Sequence, residues 1–214
     1  EKHNLSKVMG VVSYSHALQC ENKVEDMKNI LMNLVSNYDD KVKFRVSVKR
    51  IDKKFNIKSN ELEQKLGEFV FENSKAKVSL TKFNTEIGVE IYPEFTLIFD
   101  KKKKGIGGMP IGSSKKVFCY IESGNDLLAA FMMLKRGSDV TLLINGEIDT
   151  SWLMNYFDCT IKEIKNVSEI KKYTNLIVLG QNLSNFKVLT DLIEIRPLIH
   201  LSDKEIKTKI EELK

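Results

Sequence analysis

The sequence predicts an α+β domain followed by a small α/β domain with a mostly parallel sheet. Three observations predict this order. Val42–Lys49 alternates apolar with basic or polar residues between two helical patterns, as in a strand with one buried face. Segment 101–116 contains four of the eleven glycines and breaks the periodicity. After it, uninterrupted apolar segments alternate with helical patterns, which is typical of a parallel sheet covered on both faces.

The first hundred residues supply the elements of the α+β domain. Apolar residues at helical spacing predict a helix over Val24–Ser36, ahead of the alternating strand. Asn60 with Glu63 three residues later has the spacing of a capping box, which predicts where a second helix begins. Three further strands are predicted at Ala76–Leu80, Gly88–Ile91 and Phe95–Phe99.

The segment after residue 116 supplies the elements of the α/β domain. Strands and helices are predicted, in order, at Val117–Ile121 (strand), Leu127–Lys135 (helix), Val140–Ile144 (strand), Trp152–Phe157 (helix), Thr160–Ile164, Leu176–Leu179 and Leu192–Ile195 (strands), with a last helix from Ser202 to Leu213. The predicted domains are therefore 1–100 and 117–214, joined by a Gly/Lys-rich linker at 101–116.

The net charge of +5 is concentrated in two segments. Nine basic residues against three acids lie between Lys41 and Lys65, and six lysines without an acid lie between Lys101 and Lys116. Clustered cations neutralise phosphates, so both segments are candidate nucleic-acid surfaces. The alternative to a nucleic-acid surface is a solvated face in the first segment and a flexible lysine loop in the second.

Several classes of protein and site are excluded or disfavoured. No apolar run approaches the ~18 residues of a membrane span, and the polar N-terminus lacks the apolar segment of a signal peptide. The three cysteines are far apart and form no Cys-x-x-Cys, so we expect neither a disulfide framework nor a zinc site. A cytoplasmic protein without a metal site is expected.

Several segments together resemble the tRNA 4-thiouridine synthetases, sulfurtransferases that are also tied to thiamine biosynthesis. Phe44–Phe55 resembles the core of their THUMP domain, and Gly105–Gly112 resembles the linker that follows it. The helix Ala129–Gly137, and Arg196–Ile199 with Asp203–Ile206, resemble parts of their PP-loop (ATP-pyrophosphatase) domain. The resemblance implies a THUMP fold that binds tRNA and a Rossmann-like partner domain that binds ATP and activates a uridine for thiolation.

The phosphate loop of that family reads Ser-Gly-Gly-x-Asp-Ser, and this chain departs from it. Glu122-Ser123-Gly124-Asn125-Asp126-Leu127 is one residue shorter, has Glu122 for the first Ser, and has Leu127 for the second. Gln181 replaces the Glu of a second family motif, Thr-Gly-Glu-Ser-Leu. The resemblance also places the ferredoxin-like segment and the reactive-cysteine region of these enzymes outside this chain, so a shortened, degenerate PP-loop domain is expected.

Three hypotheses follow. The first is a tRNA-binding protein that lacks full ATP-pyrophosphatase and sulfurtransferase activity, with phosphate contacts from Lys43, Arg45, Lys49, Arg50, Lys53 and Lys54. The second is an active, ATP-dependent tRNA thiolation enzyme that works with a separate sulfur-carrier protein. Ser123 and Gly124 then hold pyrophosphate, and Asp126 is the one candidate catalytic residue. The third is an assembly role, with the α/β domain as a homodimerisation platform.

Overall fold

The computed structural model describes residues 4–214, which form two compact units. Ser13–Lys104 forms the α+β unit, and residues 4–12 with 105–214 form the α/β unit. Each unit has its own five-stranded sheet and its own hydrophobic core. The predicted fold class is therefore confirmed. The predicted domain bounds of 1–100, 101–116 and 117–214 stay predictions.

The α+β unit contains seven strands and two helices in the order β1 (Ser13–Ser15), β2 (Leu18–Cys20), α1 (Val24–Val35), β3 (Lys43–Arg50), α2 (Ser59–Glu72), β4 (Lys77–Val78), β5 (Thr85–Ile91), β6 (Thr96–Phe99) and β7 (Lys102–Lys104). Its five-stranded sheet has the order β2-β6-β5-β3-β4. Strand β3 runs parallel to β4 and β5, whereas β6 is antiparallel to β5 and β2. Strands β1 and β7 form a separate antiparallel ribbon.

Strand β3 is formed as the alternation predicts. Phe44, Val46 and Val48 are buried in the core, where the apolar faces of α1 and α2 also lie. Because successive side chains of a strand point to opposite faces, the cations Arg45 and Lys49 lie on the face away from that core.

The predicted capping of α2 is wrong. The helix begins at Ser59, and Lys58 at the N-cap makes no side-chain hydrogen bond. Glu63 does not reach back to Asn60; its carboxylate accepts a hydrogen bond from the backbone N–H of Val48 at 2.8 Å. The spacing of a capping box is present, but a neighbouring strand supplies a better-placed donor.

The α/β unit contains β8 (Val117–Ile121), α3 (Gly124–Lys135), β9 (Val140–Ile144), α4 (Ser151–Met154), β10 (Thr160–Glu163), β11 (Leu176–Val178), β12 (Ile193–Ile195) and α5 (Asp203–Leu213). All neighbours in its sheet, of order β10-β9-β8-β11-β12, are parallel. Side chains of β8 alternate between two cores: Cys119 and Ile121 lie in one, and Tyr120 in the other. Burial on both faces explains why the central strands are apolar without interruption.

Two short segments pair with residues that are distant in sequence. Lys102–Lys104, expected to be irregular, pair with Ser13–Ser15 as strand β7. Residues 4–12 pack within the α/β unit, where Met9 is buried and Gly10 N–H donates to the carbonyl of Gly107 at 2.9 Å. None of the helices described in residues 4–214 has the length and apolar character that a membrane crossing requires.

Candidate functional site

Two of the cations predicted on β3 face carboxylates of the neighbouring strand. The register places Arg45 opposite Glu86 and Lys49 opposite Glu90. Arg45 donates to Glu86 Oε1 from Nε at 2.9 Å and from Nη2 at 2.5 Å, and its guanidinium lies 4.1 Å from the ring centre of Phe83. The Lys49 ammonium lies 3.9 Å from the Glu90 carboxylate and stays mostly exposed. The exposed face of β3 is therefore partly neutralised.

Arg50 fastens the loop that follows β3. Its Nη1 donates to the carbonyl oxygens of Phe55 at 3.0 Å and Ile57 at 3.2 Å. Its Nε is buried and has no hydrogen-bond partner among the described residues. Backbone contacts of this kind hold the loop in one conformation, so Arg50 organises the loop from within.

Lys53 and Lys54 are exposed on the loop that Arg50 holds. The backbone N–H of Lys54 donates to Asp52 Oδ1 at 2.8 Å, which closes a tight turn at this point. Lys43, at the start of β3, is also exposed. Among the predicted phosphate contacts, these three lysines are therefore the ones that are exposed and form no salt bridge within the described residues.

The loop between β8 and α3 is closed by the side chain of Asp126. The Asp126 Oδ2 atom accepts from the backbone N–H of Glu122 at 3.2 Å, and from the N–H and the hydroxyl of Ser123 at 2.9 and 2.8 Å. Its Oδ1 accepts from the backbone N–H of Gly180 at 2.7 Å. The carboxylate therefore occupies donors that a bound anion would use at this position.

Gly180 allows the end of β11 to approach the first turn of α3. A Cβ atom at this position would lie 2.4 Å from the backbone nitrogen of Asp126 and 2.5 Å from the carbonyl carbon of Asn125. Only glycine permits so close a contact between two backbones. The hydrogen bond from Gly180 to Asp126 depends on this approach.

Glu122 is held by two side chains that the sequence did not single out. Its Oε1 accepts from the hydroxyl of Tyr120 at 2.5 Å and from Asn145 Nδ2 at 3.5 Å. Burial, with the hydrogen bond to Glu122, raises the pKa of Tyr120 to about 12, so this phenol stays a donor at neutral pH. The one sequence signal for Tyr120 is a hydroxyl-bearing side chain near the carboxyl end of an otherwise apolar strand.

A small cleft of about 180 Å³ opens at the carboxyl end of the sheet. It lies between β8 and β11, where the strand order reverses direction and where open α/β sheets bind ligands. Its described lining contains two carboxylates and no Lys, Arg or His: Tyr120, Glu122, Ser123, Asp126, Leu179, Gly180, Gln181, Asn185 and Leu189. The two carboxylates, with no cation beside them in this lining, therefore disfavour the binding of phosphates.

Gln181, Cys119 and Cys159 are engaged or buried within the α/β unit. Gln181 Oε1 accepts from Arg196 Nε at 2.9 Å, so it is held within the protein. Cys119 and Cys159 are buried, and burial raises the pKa of both thiols, that of Cys159 to about 12. In residues 4–214, no group of three or more His, Cys, Asp or Glu could hold a metal ion.

Known proteins are similar to this chain in sequence. Residues 21–100 match the THUMP domain. The chain is 37% identical over 142 residues to a probable tRNA sulfurtransferase of Thermococcus kodakarensis. The aligned residues cover 64% of this chain and 37% of that protein. It is 31% identical over 199 residues to the probable tRNA sulfurtransferase of Mycoplasmopsis synoviae, covering 89% and 49%. The chain thus spans half or less of the length of these relatives.

Solved structures agree with the fold. A Pyrococcus horikoshii protein matches with a TM-score of 0.81 and 25% identity, over 98% of this chain and 78% of that one. A 4-thiouridine synthetase, solved as an RNA complex with bound ATP, matches with a TM-score of 0.78 and 18% identity, over 98% and 70%. The predicted resemblance is confirmed: the chain contains a THUMP domain and, over the part that it spans, is similar to the probable tRNA sulfurtransferases.

Proposed function

We propose that this chain binds tRNA through its α+β unit and takes part in tRNA thiolation without full ATP-pyrophosphatase or sulfurtransferase activity of its own. The observation that carries the proposal is the coincidence of the THUMP match with an exposed cationic loop. Lys53 and Lys54 lie within residues 21–100, on a loop that Arg50 holds in place. Contacts from lysines to phosphates position RNA without reading its sequence.

The loop between β8 and α3 supports the second half of the proposal. The N–H groups of Glu122 and Ser123 already donate to Asp126, and the same carboxylate holds the Ser123 hydroxyl. A nucleotide phosphate would have to displace that carboxylate and then lie beside it. Glu122 adds a second negative charge to the lining of the cleft, which raises the electrostatic cost of such binding.

The thiols support the same view. Sulfur transfer requires a thiolate, which is favoured by exposure and by a lowered pKa. The buried Cys119 and Cys159 have raised pKa values instead, and Cys20 shows a raised pKa through partial burial and the neighbouring Asp26. None of the three suits attack on an activated uridine.

The alternative is an ATP-dependent thiolation enzyme that works with a separate sulfur donor protein. The observation that favours it is the position of the cleft at the switch point of a parallel sheet, with Ser123 at its edge. In this case Ser123 and Gly124 hold pyrophosphate once Asp126 has moved aside. A homodimer and a sulfur-carrier partner both stay predictions.

Separate titrations with tRNA and ATP distinguish these functions. We expect tRNA binding that weakens by about 100-fold between about 50 and 200 mM salt, the loss typical of four phosphate contacts. We expect no saturable binding of ATP by calorimetry. Binding to tRNA that is undetectable or independent of salt contradicts the proposal. Saturable ATP binding with tRNA-dependent release of pyrophosphate favours the alternative.

A pair of matched variants assigns the contact to the loop. Lys53→Gln with Lys54→Gln removes two charges from the loop, and Lys207→Gln with Lys209→Gln removes two exposed charges from α5. We expect the first pair to lower tRNA affinity by about 10-fold and the second to leave it within about twofold. Equal losses from both pairs would show that overall charge, rather than this loop, determines binding.

A further inference from the structure

Four consecutive lysines, Lys101–Lys104, are exposed in the α+β unit. Three of them form strand β7, which pairs with β1 in the register Ser13 with Lys104, Tyr14 with Lys103, and Ser15 with Lys102. We call β1 and β7 together the lysine ribbon. Part of a segment predicted to be an irregular linker is thus held by backbone pairing.

The register decides which side chains share a face of the lysine ribbon. Residues directly opposite in an antiparallel pair point the same way, and neighbours along a strand point to opposite faces. One face therefore presents Lys102 and Lys104, about 6.8 Å apart along the strand, with the hydroxyls of Ser15 and Ser13 beside them. The other face presents Lys103 beside Tyr14.

The lysine ribbon differs from β3 in its charge balance. Arg45 and Lys49 lie within 4.0 Å of Glu86 and Glu90, whereas no ammonium of Lys101–Lys104 lies that close to a carboxylate in residues 4–214. The acid next to them in sequence, Asp100, accepts a hydrogen bond from the Tyr38 hydroxyl at 3.0 Å. The ribbon's cations keep their charge free for an external anion.

We infer that the lysine ribbon is a second RNA-binding surface, which contacts the phosphate backbone through Lys102 and Lys104. Ammonium groups carried on a paired backbone neutralise phosphates and release counterions, and the adjacent hydroxyls of Ser13 and Ser15 donate to phosphate oxygens. Backbone pairing lowers the entropy that the segment loses on binding. The inference rests on the proposed function, since the anion that it names is the backbone of the same RNA.

The test uses the full chain with Lys102→Gln and Lys104→Gln. Because each phosphate contact contributes about 0.7–0.9 to the salt slope, we expect the slope of log affinity against log salt to fall by about 1.4–1.8. We expect tRNA affinity at low salt to fall by about 10-fold, and the double arginine variant Lys102→Arg with Lys104→Arg to keep it. The matched control is Lys207→Gln with Lys209→Gln, which changes net charge equally.

The outcomes separate this inference from the proposed function. Wild-type chain that does not bind tRNA contradicts the proposed function and the inference together. Wild-type binding with an unchanged slope in the Lys102/Lys104 glutamine variant overturns the inference alone. Binding to vesicles with anionic lipids that depends on these two lysines, with tRNA binding intact, assigns the ribbon to a membrane surface and also overturns it. Circular dichroism spectra matching the wild type show that the variant is folded.

Discussion

The β8–α3 loop and the lysine ribbon use charge in opposite ways. In the loop, Asp126 accepts four hydrogen bonds from the protein, and Glu122 is held by Tyr120 and Asn145. In the ribbon, the ammonium groups have no carboxylate within salt-bridge distance in the described chain. A charge satisfied within the fold stabilises the fold, whereas a charge left to solvent is available to a ligand. The comparison predicts that changes in the loop alter stability and changes in the ribbon alter binding.

The same distinction holds among the cations predicted from the sequence. Arg45 and Arg50 are engaged by Glu86 and by backbone carbonyls, whereas Lys53 and Lys54 face solvent. Arginine suits the internal role because its planar group donates several hydrogen bonds in a fixed geometry. We therefore expect the two arginines to support RNA binding by holding the strand and its loop in place.

The largest expected effect is that of Gly180→Ala. The added Cβ would meet backbone atoms of Asn125 and Asp126 at about 2.5 Å, and backbone cannot rotate aside as a side chain can. We expect a loss of about 3 kcal/mol in the free energy of unfolding, at the upper end of the cost of overpacking. Urea unfolding followed by circular dichroism measures it.

Gly124→Ala is the matched control for that experiment. Gly124 opens helix α3, and the nearest atom to its added Cβ is Ile210 Cδ1 at 4.0 Å, an ordinary contact. Alanine favours helix, so we expect unchanged or slightly higher stability. Similar losses of unfolding free energy in both variants would mean that this region tolerates no added side chain at either glycine. The close approach of β11 to α3 would then not be the specific cause.

Asp126→Ala is expected to have the second largest effect. It leaves the N–H groups of Glu122, Ser123 and Gly180 without their acceptor and removes an acidic residue from the first turn of α3. We expect a loss of about 2 kcal/mol, as for a lost helix cap with charged hydrogen bonds. Thermal unfolding measures it, and Asp126→Asn, which keeps one acceptor oxygen, should lie between the alanine variant and the wild type. An unchanged melting temperature would contradict the structural role of this carboxylate.

The sequence predicts elements whose pattern is local. The alternation in Val42–Lys49 predicts β3 with the correct buried residues, and the apolar segments predict the central strands of the parallel sheet. These patterns succeed because burial of a face depends on residues one or two positions apart.

The sequence could not predict which polar side chains are satisfied by distant partners. Glu86 lies 41 residues from Arg45, and Gly180 lies 54 residues from Asp126, so both pairs depend on strand order and register. Strand β7 is a run of lysines, which have low strand propensity. It is stabilised by pairing with Ser13–Ser15, which lies at the opposite end of the α+β unit in sequence. For Glu63 the local capping-box spacing predicts a partner within α2, whereas its carboxylate accepts from the backbone N–H of Val48 on β3.

Acid is expected to weaken a second polar cluster of the α/β unit. Asp203 accepts hydrogen bonds from Asn182 Nδ2 at 2.7 Å and Ser184 Oγ at 2.8 Å, and these hold its pKa below the ordinary value of 3.8. Because the pKa of this carboxyl group is lower in the folded chain than in the unfolded chain, its ionised form stabilises the fold at a pH above the unfolded-state pKa. This contribution is lost as the pH falls through the folded-state pKa. Wild type should therefore exceed Asp203→Asn in stability at pH 6, and the difference should begin to narrow below about pH 4. A difference that is constant from pH 6 to pH 3 would contradict the ionic character of these hydrogen bonds.

The smallest expected effect on stability is that of Lys102→Gln with Lys104→Gln. Neither ammonium forms a salt bridge in the part of the chain that the structure describes, and both side chains are exposed, so we expect a change within about 0.5 kcal/mol in urea unfolding. The change should be slightly stabilising at low salt, since it relieves repulsion among four adjacent cations. A loss above 1 kcal/mol would mean that these lysines hold the fold as Asp126 does, and the contrast between loop and ribbon would then fail. Unchanged stability with weakened tRNA binding in the same variant is the combination that only an interaction surface produces.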